Sequence, residues 1–178
     1  MQVPLVMTVI GTDRTGLVES VARLVAEHGG NWRESRMCRL GGEFAGLLRI
    51  HVPAGRQAAL AQALHALQAQ GLTVVVHPDA TPPAAEARKL TTLELVGHDR
   101  PGIVRQITRA LADQGVNVEE FSSECVSAPM TGETLFQARA RLSLPGRCDA
   151  AALRRELEKI AADLMVDVTF SELAETSP

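Results

Sequence analysis

Residues 11–16 read GTDRTG and residues 97–102 read GHDRPG, 86 positions apart. No other feature of this 178-residue chain constrains its fold as tightly. Laid over each other, Gly11–Asn31 and Gly97–Asn117 share nine of twenty-one positions: Gly11, Asp13, Arg14, Gly16, Val18, Arg23, Ala26, Gly29 and Asn31, with their partners. Identity at one fixed offset over that length marks a duplicated structural unit. The chain is also long enough for two small domains.

Each copy follows the same course. Val3–Ile10 and Thr92–Val96 are rich in β-branched and apolar residues and predict strands. Leu17, Val18, Val21, Leu24 and Val25, and then Ile103, Val104, Ile107, Ala110 and Leu111, recur at helical spacing. Gly29–Gly30 and Gly115 stop those helices. Strand pairs follow: Asn31–Leu40 with Glu43–Val52 about Gly41–Gly42, and Val116–Val126 with Thr134–Leu144 about SAPMTGE. Pro53 and Pro145 close the second strand of each pair. Second helices are expected over Ala58–Gln70 and Ala150–Leu164, and closing strands over Leu72–His77 and Met165–Phe170. The order β-α-β-β-α-β is the split β-α-β of ferredoxin-like folds. The fold class is therefore α+β, two ferredoxin-like domains in tandem, with antiparallel sheets and helices on one face. The domains are placed at 1–78 and 92–171, joined by a Pro- and Ala-rich linker at 79–91 and followed by a tail at 172–178.

Composition removes several functions. The net charge is −3, so no basic stripe exists to neutralise phosphates, and direct nucleic-acid binding is not expected. One Trp, four Phe and no Tyr leave little to stack on bases. No apolar run is long enough for a membrane span, and the N-terminus reads as a strand rather than a signal peptide. Cys38, Cys125 and Cys148 stand far apart in odd number, which fits free thiols in a reducing cytoplasm better than disulfides or zinc. The histidines at 28, 51, 65, 77 and 98 form no metal-ligand spacing, and no nucleophile elbow or phosphate-binding loop occurs. No catalytic residues, metal or cofactor are assigned.

The repeated loop is where ligand chemistry is expected. Pro101 suits a first helical turn, and Gly16 and Gly102 remove the side chain that would screen the first amides. Those amides carry the positive end of the helix dipole and can seat a carboxylate. Asp13 and Asp99 offer an acceptor beside them for an ammonium group. An ordinary helix cap and turn explain the same letters. Asn31 and Asn117, each at a strand start, either bond a ligand or satisfy a turn.

The run D-R-P-G-I-V at 99–104 followed by G-V-N-V at 115–118, within β-α-β-β-α-β, resembles the ACT domain, a small-molecule-binding regulatory module. The resemblance covers both halves, and the first departs from the usual pattern at Thr15 and Trp32. Two such domains, with SAPMTGETLFQARARLSLPG in the second, resemble the glycine cleavage system transcriptional repressor group. Formyltetrahydrofolate deformylases share a similar N-terminal domain but add a catalytic domain without counterpart here. The resemblance implies that the two domains pair and bind an amino acid, glycine by analogy. Asp13 and Gly16 would then work with Asn117, and Asp99 and Gly102 with Asn31; Arg14 and Arg100 belong to the same motif and are expected mainly as surface partners of acids. It further implies that the signal passes by protein contact to a transcription regulator. The other reading is an assembly module with degenerate ligand sites, whose exposed strand edges drive association into a homodimer.

Overall fold

The computed structural model describes residues 1–79, 89–128 and 132–172. The chain divides into two compact units, Met1–Pro82 and Pro83–Pro178. In the first, strand β1 (Gln2–Thr12) leads to helix α1 (Leu17–Glu27), hairpin β2 (Asn31–Leu40) and β3 (Glu43–Pro53), helix α2 (Gln57–His65) and strand β4 (Leu72–Pro78). In the second, β5 (Lys89–His98), α3 (Ile103–Asp113), β6 (Asn117–Ser127), β7 (Thr134–Leu144), α4 (Ala150–Leu164) and β8 (Val166–Glu172) repeat the order. The sheets run β2-β3-β1-β4 and β6-β7-β5-β8. The six strand pairings among the described residues are all antiparallel.

Alternation along the central strands sets the core. Leu5, Met7 and Val9 of β1 and Leu48, Ile50 and Val52 of β3 point to one side and are buried. Against them pack Leu17, Val21 and Val25 of α1 and Leu60 and Leu64 of α2. The second unit repeats this with Leu93 and Leu95, Leu142 and Leu144, Ile107 and Leu111, and Leu153 and Leu157. Each such side chain stabilises by roughly 1.5–3 kcal/mol on leaving water. Val18 and Val104 depart from the expected apolar stripe: they are 43% and 39% exposed, at the second position of α1 and α3.

Local details depart from expectation in three places. Strand β5 begins at Lys89, inside the expected linker, because its register with β7 runs back to the pair Lys89–Leu144. The second helix of the first unit keeps α geometry only to His65 and tightens into a 3-10 turn over Ala66–Gln70, ending at Gly71 with φ 80°. The tighter turn still buries Leu67. Pro101 precedes the helix cap instead of occupying the first helical position, since α3 starts at Ile103 with Gly102 as its cap. The β2–β3 turn falls at Gly41–Gly42 as expected, with both glycines at positive φ, 58° and 86°, the geometry of a two-residue primed turn. Of the SAPMTGE turn, residues 129–131 lie outside the described residues.

Candidate functional site

The motif divides into residues that hold the loop and residues that the fold leaves uncommitted. Gly11 and Gly97 are glycine because the backbone before the last strand lies against them. A Cβ on Gly11 would stand 2.2 Å from the Gly71 carbonyl oxygen. One on Gly97 would stand 2.6 Å from the Val166 Cα. Arg14 and Arg100 were expected mainly as surface partners of acids, and among the described residues neither pairs with one. The Arg14 guanidinium donates to the Gln70 carbonyl at 3.0 Å, and Arg100 lies 3.8 Å from the Met165 sulfur. Both tie the loop to the turn that opens the fourth strand, where a carbonyl or a thioether, not a carboxylate, faces them.

Gly16 and Gly102 cap α1 and α3 at φ 91° and 97°, a conformation that residues with a Cβ avoid. Among the described residues no side-chain cap hydrogen bond is made at either helix start. The first intrahelical bonds are Ser20 N–H to the Gly16 carbonyl and Gln106 N–H to the Gly102 carbonyl. Helix geometry therefore leaves the amides of residues 17–19 and 103–105 without partners inside the helix. A left-handed glycine followed by uncapped amides is a seat for an anion.

Asp13 and Asp99 are not the caps that a plain structural reading would make them. Their backbone amides bond the Gly42 and Thr134 carbonyls at 2.9 and 3.3 Å, which pins each loop to the neighbouring hairpin. The carboxylates differ. Asp13 is half-buried, with its Oδ2 3.4 Å from Arg39. Asp99 is exposed, and no side chain among the described residues pairs with it. Arg39 was not foreseen from the sequence. It reaches Asp13 from the end of β2, and the register position equivalent to it in the second unit holds Cys125.

Asn31 and Asn117 stand elsewhere. Within each unit the asparagine begins the edge strand at the sheet end opposite the loop. Thr12 pairs with Glu43 whereas Asn31 pairs with His51. His98 pairs with Leu135 whereas Asn117 pairs with Ser143. Eight residues of β3 or β7 separate these levels, about 26 Å at strand rise. Each unit thus keeps its own asparagine away from its own loop. Asn31 is exposed, and the Asn117 amide donates to Glu119 at 2.8 Å. Both edge strands carry an irregularity at the same place, Trp32/Glu34 and Val118/Glu120, which bends them just after the asparagine.

Val18 and Val104 are the candidates that sequence reasoning passed over. Their identity in the two copies was visible, but helical spacing assigned them to the core. Exposed two residues after an uncapped glycine, they offer an apolar wall beside the amides.

The remaining reactive groups do not gather. Cys38 and Cys125 are exposed, on edge strands in registers that differ by one and so face opposite sides of their sheets. Burial pushes the Cys148 thiol above its ordinary range, and the neighbouring Asp149 carboxylate adds to this, so its nucleophilic form is disfavoured. Among the described residues no group of three His, Cys, Asp or Glu could hold a metal. None of their helices is long and apolar enough to cross a membrane.

The ACT-domain family matches this chain twice, over residues 3–77 and 91–137. Together the two matches cover more than half of it. The glycine cleavage system transcriptional repressor of Escherichia coli (strain K12) is 24% identical over 166 residues, spanning 90% of this chain and 85% of that protein. A crystal structure of an unknown protein from Galdieria sulphuraria superimposes with a TM-score of 0.84 at 27% identity, covering 98% of this chain and 100% of the other. A second crystal structure, of a protein provisionally named a glycine cleavage system transcriptional repressor, gives a TM-score of 0.70 at 22% identity over 98% of this chain and 99% of that one.

Proposed function

This chain belongs to the ACT-domain family, with two copies in tandem, and from that membership we propose that it is a non-enzymatic regulatory protein that binds a small amino acid. The observation that carries the reading is the pair of uncapped helix starts behind Gly16 and Gly102, each beside an aspartate that does not cap it. Amides at the positive end of a helix suit the ligand carboxylate. Asp13 or Asp99 suits its ammonium, and Val18 or Val104 borders a side chain too small to need a deep pocket. Arg14 and Arg100 act by holding the loop in place.

The named relative makes glycine the first ligand to try, and control of transcription in glycine and one-carbon metabolism the setting. The chain's mild net charge of −3 favours action through a transcription regulator rather than on DNA. Ligand would change the docking of that protein.

Calorimetry and thermal shift with glycine and a panel of amino acids test the proposal. A ligand that binds only the folded protein stabilises it by about 2.7 kcal/mol at one hundred times its Kd. Absence of heat and of any shift across the panel counts against it. The double change Asp13→Ala with Asp99→Ala is expected to leave the fold intact, because neither carboxylate is buried, and to remove the response. A response that persists in the double variant removes the aspartates from the site.

A further inference from the structure

The two repeated loops are tethered at the same two points, but not by the same bonds. In the first unit the Asp13 amide donates to the Gly42 carbonyl at 2.9 Å, and Arg14 Nη2 donates to the Gln70 carbonyl at 3.0 Å. In the second the Asp99 amide reaches the Thr134 carbonyl at 3.3 Å, and Arg100 Nη2 meets the Met165 sulfur at 3.8 Å. Both tethers are longer in the second loop, and one of them ends on a thioether, a weak acceptor.

Met165 stands where the first unit has a glycine. Gly71 precedes β4 at φ 80° and Met165 precedes β8 at φ 56°; the residues after them, Leu72 and Val166, pair with Gly11 and Gly97. Among the described residues Met165 is the one non-glycine residue at positive φ, a conformation that a Cβ disfavours. The chain nevertheless carries a side chain there, 55% exposed and with its sulfur against a guanidinium. Two other methionines are placed differently: Met7 is buried in the core of the first unit, and Met37 is half-buried against it.

A sulfoxide at this position supplies what Arg100 lacks. Oxidation turns an apolar thioether into a polar group whose oxygen accepts hydrogen bonds, and a guanidinium donor strengthens such a bond. Oxygen added on the side of Arg100 reproduces the N–H to oxygen contact that Arg14 makes in the first unit. Arg100 and Met165 are both exposed, so their side chains can shift to admit it.

We propose that Met165 is a site of reversible oxidation by hydrogen peroxide, and that its sulfoxide oxygen accepts from Arg100 and fastens the loop at 97–102. The sulfur lone pair attacks one peroxide oxygen, and an S–O bond forms as the O–O bond breaks. The proton on the transferred oxygen passes to the departing hydroxide, which leaves as water. Sulfur gives up two electrons and the peroxide takes them. Methionine sulfoxide reductases, one for each epimer, restore the thioether. This goes beyond amino-acid binding and does not rest on it.

The test treats the full chain with hydrogen peroxide, removes it, maps the added oxygen by mass spectrometry and follows amide exchange by NMR. Met165 is expected to gain one oxygen ahead of Met7 and Met37. The Asp99 amide is then expected to exchange several-fold more slowly, because its bond to Thr134 opens less often. Treatment with both reductases returns the original rate. Arg100→Ala is expected to be oxidised at Met165 with no slowing at Asp99. Met165→Leu leaves exposed Cys38 and Cys125 open to peroxide and is also expected to show no slowing, which separates the methionine from the thiols. Should one of these variants fail to fold, the other still decides. Oxidation of Met165 no faster than that of Met37 overturns the proposal. So does an Asp99 amide that exchanges unchanged or faster once Met165 is oxidised, or slowing that survives in Arg100→Ala or Met165→Leu.

Discussion

Gly97→Ala isolates the steric demand of the repeated loop. The added Cβ would lie 2.5 Å from Val166 Cγ1, 2.6 Å from Val166 Cα and 2.8 Å from the Met165 carbonyl oxygen. Carbon atoms rest at about 3.5–4.0 Å, so the overlap is about 1 Å and two of the three neighbours are backbone. The side chain can rotate away, but the backbone cannot. Either β8 moves off β5 or the pair Gly97–Val166, the last rung of their ladder, opens. Overpacking costs about 1–3 kcal/mol and each lost hydrogen bond about 0.5–1.5 kcal/mol, so we expect about 2–3 kcal/mol. For a domain of this size that lowers Tm by roughly 10–20 °C. Scanning calorimetry with a circular dichroism melt reads it. Gly16→Ala is the control: nothing lies within 4 Å of its Cβ, so only the left-handed φ is charged against it, about 1–2 kcal/mol. Adding Val166→Ala to Gly97→Ala removes Cγ1 but not the Cα or the carbonyl, and should not restore stability. A Gly97→Ala melt within about 2 °C of wild type, or full rescue by Val166→Ala, would refute the backbone-clash argument.

Three further outcomes follow from the start of α4. Asp149 accepts from the Ala151 and Ala152 amides at 2.9 and 3.0 Å, so Asp149→Ala should cost about 1 kcal/mol in a urea melt. The Cys148 thiol, raised by burial and then by Asp149, is less ionised at pH 8 than an ordinary thiol. Mass spectrometry of timed iodoacetamide labelling should therefore find exposed Cys125 modified before Cys148, with Cys148 still gaining rate as pH rises past 9. Asp149→Ala should speed Cys148, because it removes the nearby negative charge.

Much of this protein was open to reading from its letters alone. The repeat at 86 residues declared two copies, and short-range periodicities of two and 3.6 located the strands and helices, because both depend on neighbours in sequence. The need for glycine at positions 16 and 102 was equally local, a matter of φ at a helix start. What lay beyond reach was every property that joins distant segments. Gly11 is glycine because of Gly71, sixty residues later, and Arg14 serves Gln70 rather than an acid. The separation of Asn31 from the Asp13 loop by the length of a strand came from register, which alternation does not specify. Alternation likewise announces that a strand has two faces, yet only the assembled sheet set Leu47 and Val75 on either side of Thr8 and their polar counterparts Arg139 and Thr169 on either side of Glu94 in the second copy. Chain-local preferences act within a few residues, whereas strand pairing decides which of those residues meet.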